Sequence, residues 1–290
     1  LSLSQLKKQT SQKRLERSLL LEESSQSISK IQSLNVEHRS KPLNLEIWHN
    51  PMRSSKRSHW IVFMPGWGGV PAHFRWLARR LSDHGWSVVL LDHPGSNAKA
   101  AQELLEGRGS VPGAEVIPDR LADLFSVINA QKKGELDVDG EKFILMGHSL
   151  GALTAFLASG AMPEDGLERR CEKALDALSL TNLSQLLQCQ IVNVQFLINK
   201  RVPKPEAIIG INSFGSLLWP NHRSTRISQP VFLIGGTYDL ITPALNEQLG
   251  LLLATNPNPL SRVLLVEGAS HFSPIRVQGQ LENESGEDLF

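Results

Sequence analysis

The sequence predicts an α/β protein built on a doubly wound, mostly parallel sheet with helices on both faces. Short apolar runs alternate with helical stretches along most of the chain, the pattern of strand and helix in turn. The later runs are continuously apolar rather than alternating, as in strands covered on both sides. One run, Lys142 to Met146, leads straight into Gly147-His148-Ser149-Leu150-Gly151 and a second apolar segment, the strand, sharp turn and helix that an exposed nucleophilic serine requires.

Residues 1–42 are rich in Ser, Gln, Lys and Glu, with leucines at Leu15, Leu19, Leu20 and Leu21. They read as a polar N-terminal extension of one or two short helices. Strands are then expected at 43–49, 60–64, 87–92, 142–146, 206–211, 230–234 and 262–266. Helices are expected at 72–84, where Phe74, Trp76, Leu77 and Leu81 form an apolar face, and at 119–131, 152–161 and 244–254. Between 160 and 205 the alternation stops. Leu175, Leu178, Leu183, Leu186 and Leu187 there lie on more than one face of helical segments, which fits packing helices or a cap. Residues 277–290 read as a polar C-terminal tail.

At 290 residues and 41% hydrophobic content the chain can bury a large core. Its 30 basic and 29 acidic side chains leave a net charge of +1, so no global field draws nucleic acid or an anionic membrane. No run approaches the roughly 18 apolar residues of a membrane span. The chain opens on Leu1, which leaves open a leader removed upstream and therefore the compartment, cytoplasmic or exported. Oligomeric state is equally open. Cys171 and Cys189 form a disulfide in an oxidising compartment or stay buried thiols in a reducing one. They lack zinc-site spacing, and neither a metal nor an organic cofactor is expected.

A serine hydroxyl needs a general base within hydrogen-bond reach and a carboxylate to orient that base. Asp239 follows the apolar run Val231 to Ile234 and a Gly-Gly turn, and His271 follows the run Val263 to Val266. Both therefore belong just past the C-terminal ends of strands, in the chain order Ser149, Asp239, His271. Singly, Asp239 could cap the helix near Pro243 and His271 could be a surface loop residue. His148 should point away from Ser149 and is read as structural, and Asp92 as a loop-ordering carboxylate. The backbone N–H of Leu150 is one expected oxyanion donor. The other is that of Trp67 in the loop Pro65-Gly66-Trp67-Gly68-Gly69, which as a glycine-rich stretch could also be a plain connector. With no Lys-Ser/Thr of a P-loop and no GxGxxG, it is not read as a nucleotide site.

Over residues 43–276 these segments, with Asp92-His93-Pro94-Gly95 and Ala269-Ser270-His271-Phe272, resemble the α/β-hydrolase superfamily. Asp-His-Pro-Gly-Ser and the helix opening Pro118-Asp119-Arg120 resemble bacterial proteins labelled predicted dienelactone hydrolases or platelet-activating-factor acetylhydrolase-like esterases. The resemblance implies an α/β-hydrolase domain with a helical cap at 160–205, since lids are inserted there in that family. It also implies a serine hydrolase with Ser149, Asp239 and His271 as triad and Trp67 and Leu150 as oxyanion donors. The expected substrate is a small, lipophilic carboxylic ester. Thioester, amide or carbon–carbon hydrolysis, perhydrolysis, or a non-catalytic binding role on the same fold are the alternatives. Authentic dienelactone hydrolases carry Cys where this chain has Ser149, many relatives carry His at the Pro65 position, and a further Gly is common where Ala152 stands.

Overall fold

The computed structural model describes residues 27–50, 58–108, 113–177, 181–194, 204–220, 225, 227–255 and 258–276. The strands are β1 (Ile28–Leu34), β2 (Leu43–His49), β3 (His59–Met64), β4 (Ser87–Leu91), β5 (Lys142–His148), β6 (Ala207–Ile211), β7 (Val231–Gly236) and β8 (Arg262–Val266). They form one eight-stranded sheet in the order β1-β2-β4-β3-β5-β6-β7-β8. From β4 across to β8 every pairing is parallel, while β2 runs antiparallel to β4 and β1 antiparallel to β2. This is the mostly parallel α/β sheet that the sequence predicts.

Side-chain alternation assigns each central strand to two cores. Trp60, Val62 and Met64 of β3 join Val89, Leu91 and Leu145 on one face, while Ile61 and Phe63 join Val88, Leu90 and Met146 on the other. The first face is covered by α3 (Ile117–Lys132) and α4 (Leu150–Ala158), which contribute Leu121, Leu124, Leu153 and Phe156. The second is covered by α1 (Arg75–Asp83) and the preceding 3-10 turn Pro71–Phe74, through Phe74 and Ala78. Every residue of α4 is buried, so this helix after Ser149 has the all-round apolar composition of a core element rather than a surface stripe.

Residues 28–34, expected within the helical N-terminal extension, instead form β1, which pairs in full with β2 from Ile28 opposite His49 to Leu34 opposite Leu43. The strand lies at the sheet's edge, with Lys30 and Ile31 exposed. Edge strands need backbone pairing on one side only and tolerate charge, so they carry no apolar alternation to read. The leucines at 15–21 lie outside the described residues. A short helix α2 (Ala98–Leu105) also intervenes after β4, its first turn capped by the Asn97 side chain, which accepts from Ala100 N at 3.3 Å.

Within 160–205, α5 (Leu167–Asp176) and α6 (Ser184–Gln190) are described, and a disulfide joins Cys171 to Cys189. The π-helical turn Ala244–Leu249, which runs into α7 (Gly250–Ala254), ties this segment down. There the buried Glu247 carboxylate accepts from Asn182 Nδ2, Ser184 Oγ and Gln188 Nε2, and from Gly215 and Ser216 N–H beyond β6. No helix among the described residues is long and apolar enough to cross a membrane.

Candidate active site

The sheet order reverses beside β3: the chain leaves it to form β4 on one side and returns to form β5 on the other. In open α/β sheets ligands gather at such a reversal, beyond the carboxyl ends of the strands. The loop after β3 and the turn after β5 are therefore the first places where chemistry is expected, and they are the two glycine-rich segments.

Ser149 follows β5 and precedes α4 with φ 52° and ψ −119°. A non-glycine residue at positive φ is strained, and the neighbouring glycines make room for it. A Cβ at Gly147 would lie 2.3 Å from the Gly151 carbonyl carbon, and one at Gly151 would lie 1.9 Å from Met64 O. The turn therefore packs backbone against backbone and leaves the Ser149 side chain projecting above the sheet.

Asp239 and His271 follow β7 and β8, as their sequence positions imply. The structure brings both to Ser149: His271 Nε2 lies 3.0 Å from Ser149 Oγ, and His271 Nδ1 lies 2.9 Å from Asp239 Oδ2. A carboxylate can only accept, so Nδ1 carries the proton and Nε2 offers its lone pair to the hydroxyl. Asp239 also accepts at Oδ1 from the backbone N–H of Ile241 and Thr242, at 2.9 and 2.8 Å. Its helix-entry role and its contact with His271 thus coexist, because they use different oxygens. Burial opposes charge on Asp239, but hydrogen bonding and charge from His271, together with bonds from Thr242, outweigh it and hold this carboxyl below its usual range.

Two further groups at Asp239 carry no signal in the sequence pattern. Asn212 Nδ2 donates to Oδ2 at 2.6 Å, and Thr242 Oγ1 donates to the same oxygen at 2.6 Å. Asn212 also sits at φ 49°, a conformation that Asn tolerates better than most side chains. It follows β6 directly, but a strand-end position alone names no partner.

In the loop after β3, Pro65 O accepts from Arg120, Gly66 O accepts from Gly69 N at 3.1 Å, and Gly68 N donates to Ser96 O at 2.8 Å. In the trans peptide between Gly66 and Trp67 the N–H points opposite to the carbonyl engaged by Gly69. Gly66 itself lies against the serine, since a Cβ there would sit 3.0 Å from Ser149 Cβ. Leu150 is the first residue of α4, and N–H groups in a first helical turn have no partner within the helix.

His148 Nε2 donates to His271 O at 2.9 Å. It therefore holds the backbone of His271 rather than acting as a base. Burial and the nearby His271 lower its pKa to about 3, so it is neutral. Asp92 accepts from Asn97 Nδ2 at 2.8 Å and orders the loop after β4. In that loop His93 Nδ1 donates to the buried Asp123, which also accepts from Arg39 Nη2 at 2.8 Å and from His38 Nε2 at 2.7 Å. Burial and the Arg120 charge lower the His93 pKa to about 4. Among the described residues no group of three His, Cys, Asp or Glu side chains is gathered to hold a metal ion.

Because His93 and His148 refuse protons that the unfolded chain accepts near pH 6.5, stability is complete above that pH and falls as the pH drops toward about 4 and about 3 respectively. We expect the urea midpoint to decline steadily from pH 7 to pH 4. His93→Asn, whose amide can still donate to Asp123, should make that decline shallower. An unchanged slope would remove His93 from this account.

Residues 55–168, which run from the approach to β3 through the helix after Ser149, match the family model Hydrolase_4, described as serine aminopeptidase, S33. Trp67, Ser149 and Leu150 lie inside the matched stretch, and Asp239 and His271 lie beyond it. Among curated proteins none matches the chain. This strand order, a strained serine between β5 and its buried helix, and a hydrolase family model matched across that turn agree with an α/β-hydrolase fold.

Proposed function

We propose that the protein is a serine hydrolase that cleaves a carboxylic ester through an acyl-enzyme intermediate. The observation that carries this reading is the continuous relay from Ser149 Oγ through His271 to Asp239, with spacings of 3.0 and 2.9 Å. As Ser149 Oγ attacks the ester carbonyl, His271 Nε2 takes its proton and then passes it to the leaving alcohol. Asp239 stays ionised, holds the Nδ1–H tautomer and stabilises the imidazolium. Water then attacks the acyl-enzyme, again giving its proton to Nε2, and the acid departs as Ser149 recovers its proton. The N–H groups of Trp67 and Leu150 bind the oxyanion in both steps, and the proposal needs no cofactor.

The apolar side chains beside these groups favour a lipophilic substrate. Trp67, Tyr238, Leu240 and Phe272, each in or next to a proposed site position, are exposed, and Phe272 sets its ring edge-on to His271 at 5.4 Å. Such a rim is ready to cover apolar parts of a small molecule as it binds. Amide cleavage by the same residues is the second reading, favoured by the serine aminopeptidase description of the matched family.

Labelling with a fluorophosphonate, followed by assays on short and long p-nitrophenyl esters and on aminoacyl p-nitroanilides, tests both. We expect stoichiometric labelling of the wild type and none of Ser149→Ala, with esters turned over and anilides spared. Faster cleavage of anilides would establish the amide reading instead. A wild type that resists labelling would defeat both.

A further inference from the structure

Arg120 on α3 is fully buried, yet among the described residues no carboxylate is hydrogen-bonded to its guanidinium. All three nitrogens are given to neutral acceptors. Nε donates to Thr154 Oγ1 at 3.2 Å, Nη1 to Ser96 Oγ at 2.7 Å, and Nη2 to Pro65 O. Removing a cation from water costs several kcal/mol even after relaxation, and burial lowers the pKa here to about 9. An apolar residue would fill the volume at less cost, so the three acceptors are the reason to ask what the guanidinium does.

Each acceptor leads to one of the two backbone N–H groups assigned above to the oxyanion. Pro65 opens the loop that carries Trp67, and Ser96 accepts from Gly68 N–H at its own carbonyl, gripping that loop from the other end. On the opposite wall, Thr154 Oγ1 donates to Leu150 O at 2.7 Å, so the guanidinium also touches the turn that carries the Leu150 N–H. One planar fork therefore spans both halves of the hole. Lysine cannot reproduce this, because a single ammonium cannot hold three acceptors set in a guanidinium's plane.

We propose that Arg120 is the positioning residue of the oxyanion hole, holding the Trp67 loop and the start of the nucleophile helix at a fixed separation. The inference rests on the hydrolase reading of Ser149. Its burden falls on the transition state, where the two donors must meet a charge that the bound ester does not yet carry.

The test compares the wild type, Arg120→Lys and Arg39→Gln. Arg120→Lys keeps the buried charge, whereas Arg39→Gln weakens the neighbouring Asp123 cluster without touching Pro65, Ser96 or Thr154. We expect Arg120→Lys to lower kcat on a p-nitrophenyl ester about a hundredfold, the loss seen when one oxyanion donor is removed, with KM within about threefold. Arg39→Gln should lower the melting temperature and leave kcat near that of the wild type. Should Arg120→Lys fail to fold, Ser96→Ala removes the Nη1 acceptor alone and should still cut kcat severalfold at constant KM. An unchanged kcat in the folded variant, or an equal fall in Arg39→Gln, overturns the proposal. A wild type that neither turns over ester nor labels at Ser149 overturns the underlying hydrolase reading instead, so the two failures are distinguishable.

Discussion

Ser149→Ala and His271→Ala are each expected to lower kcat about a million-fold, and the double variant no further. Without the imidazole the hydroxyl has no acceptor for its proton, and without the hydroxyl the imidazole has nothing to activate. Either loss therefore removes the whole nucleophilic step. Asp239→Asn should cost less, about ten-thousandfold. The amide can donate to Nδ1 and thus favour the tautomer that turns a ring N–H, not a lone pair, toward Ser149 Oγ. Asn212 and Thr242 add a cost to that arrangement, because both donate to the Asp239 oxygen that receives Nδ1–H. An amide nitrogen there would face donors on every side. Pre-steady-state and steady-state assays on one ester, with circular dichroism to establish folding, supply the measurement. Additive losses in the double variant would contradict a single coupled unit.

Gly151→Ala is expected to cost more than about 4 kcal/mol and to leave little folded protein, a size reached only when a substitution breaks something rigid. The new methyl would lie 1.9 Å from Met64 O and 2.8 Å from Pro65 O, both backbone atoms of β3 and the loop that follows it. No rotamer change relieves such a clash, so β3 and the nucleophile helix would have to separate. Gly250→Ala is the matched control. It lies where π-helical and α-helical geometry meet, with φ −56° and no atom within 4 Å of an added Cβ. At such a position the loss of unfolded-state freedom should stabilise by about 0.4 to 1 kcal/mol. Thermal melts of the two variants make the comparison, and a well-folded Gly151→Ala would mean that the turn is looser than its contacts imply.

The parts of the fold legible in the sequence are those that physics repeats locally. Central strands announce themselves because burial on both faces demands unbroken apolar runs, and Ser149, Asp239 and His271 each stand a few residues beyond one. β1 is silent because an edge strand with Ile28 and Ile31 exposed has no buried face to impose a period. The short helix after Asn97 spans only eight residues with none of them buried, too little to impose a helical period on the sequence. Asn212 and Arg120 were out of reach for a different reason. Their roles depend on partners brought near by the sheet, 27 residues away for Asn212 and Asp239 and 55 for Arg120 and Pro65. No spacing rule within a single element encodes such pairs.

His271 is borne by a segment that follows the outermost strand. Among the described residues β8 pairs with β7 alone, and Leu264, Leu265 and Val266 on it remain exposed. Beyond the histidine the chain is moored at a few points, among them Trp76 Nε1 to Pro274 O and Arg276 N to His73 O. Detaching residues 262–276 would expose little that is not already wet, and so would cost only a fraction of the free energy of global unfolding. Ser149, by contrast, stands between a central strand and a helix of which every residue is buried. On the proposed mechanism, acid–base competence and structural integrity therefore reside in parts of very different local stability: warming is expected to silence turnover by lifting away His271 while the sheet that presents Ser149 remains intact.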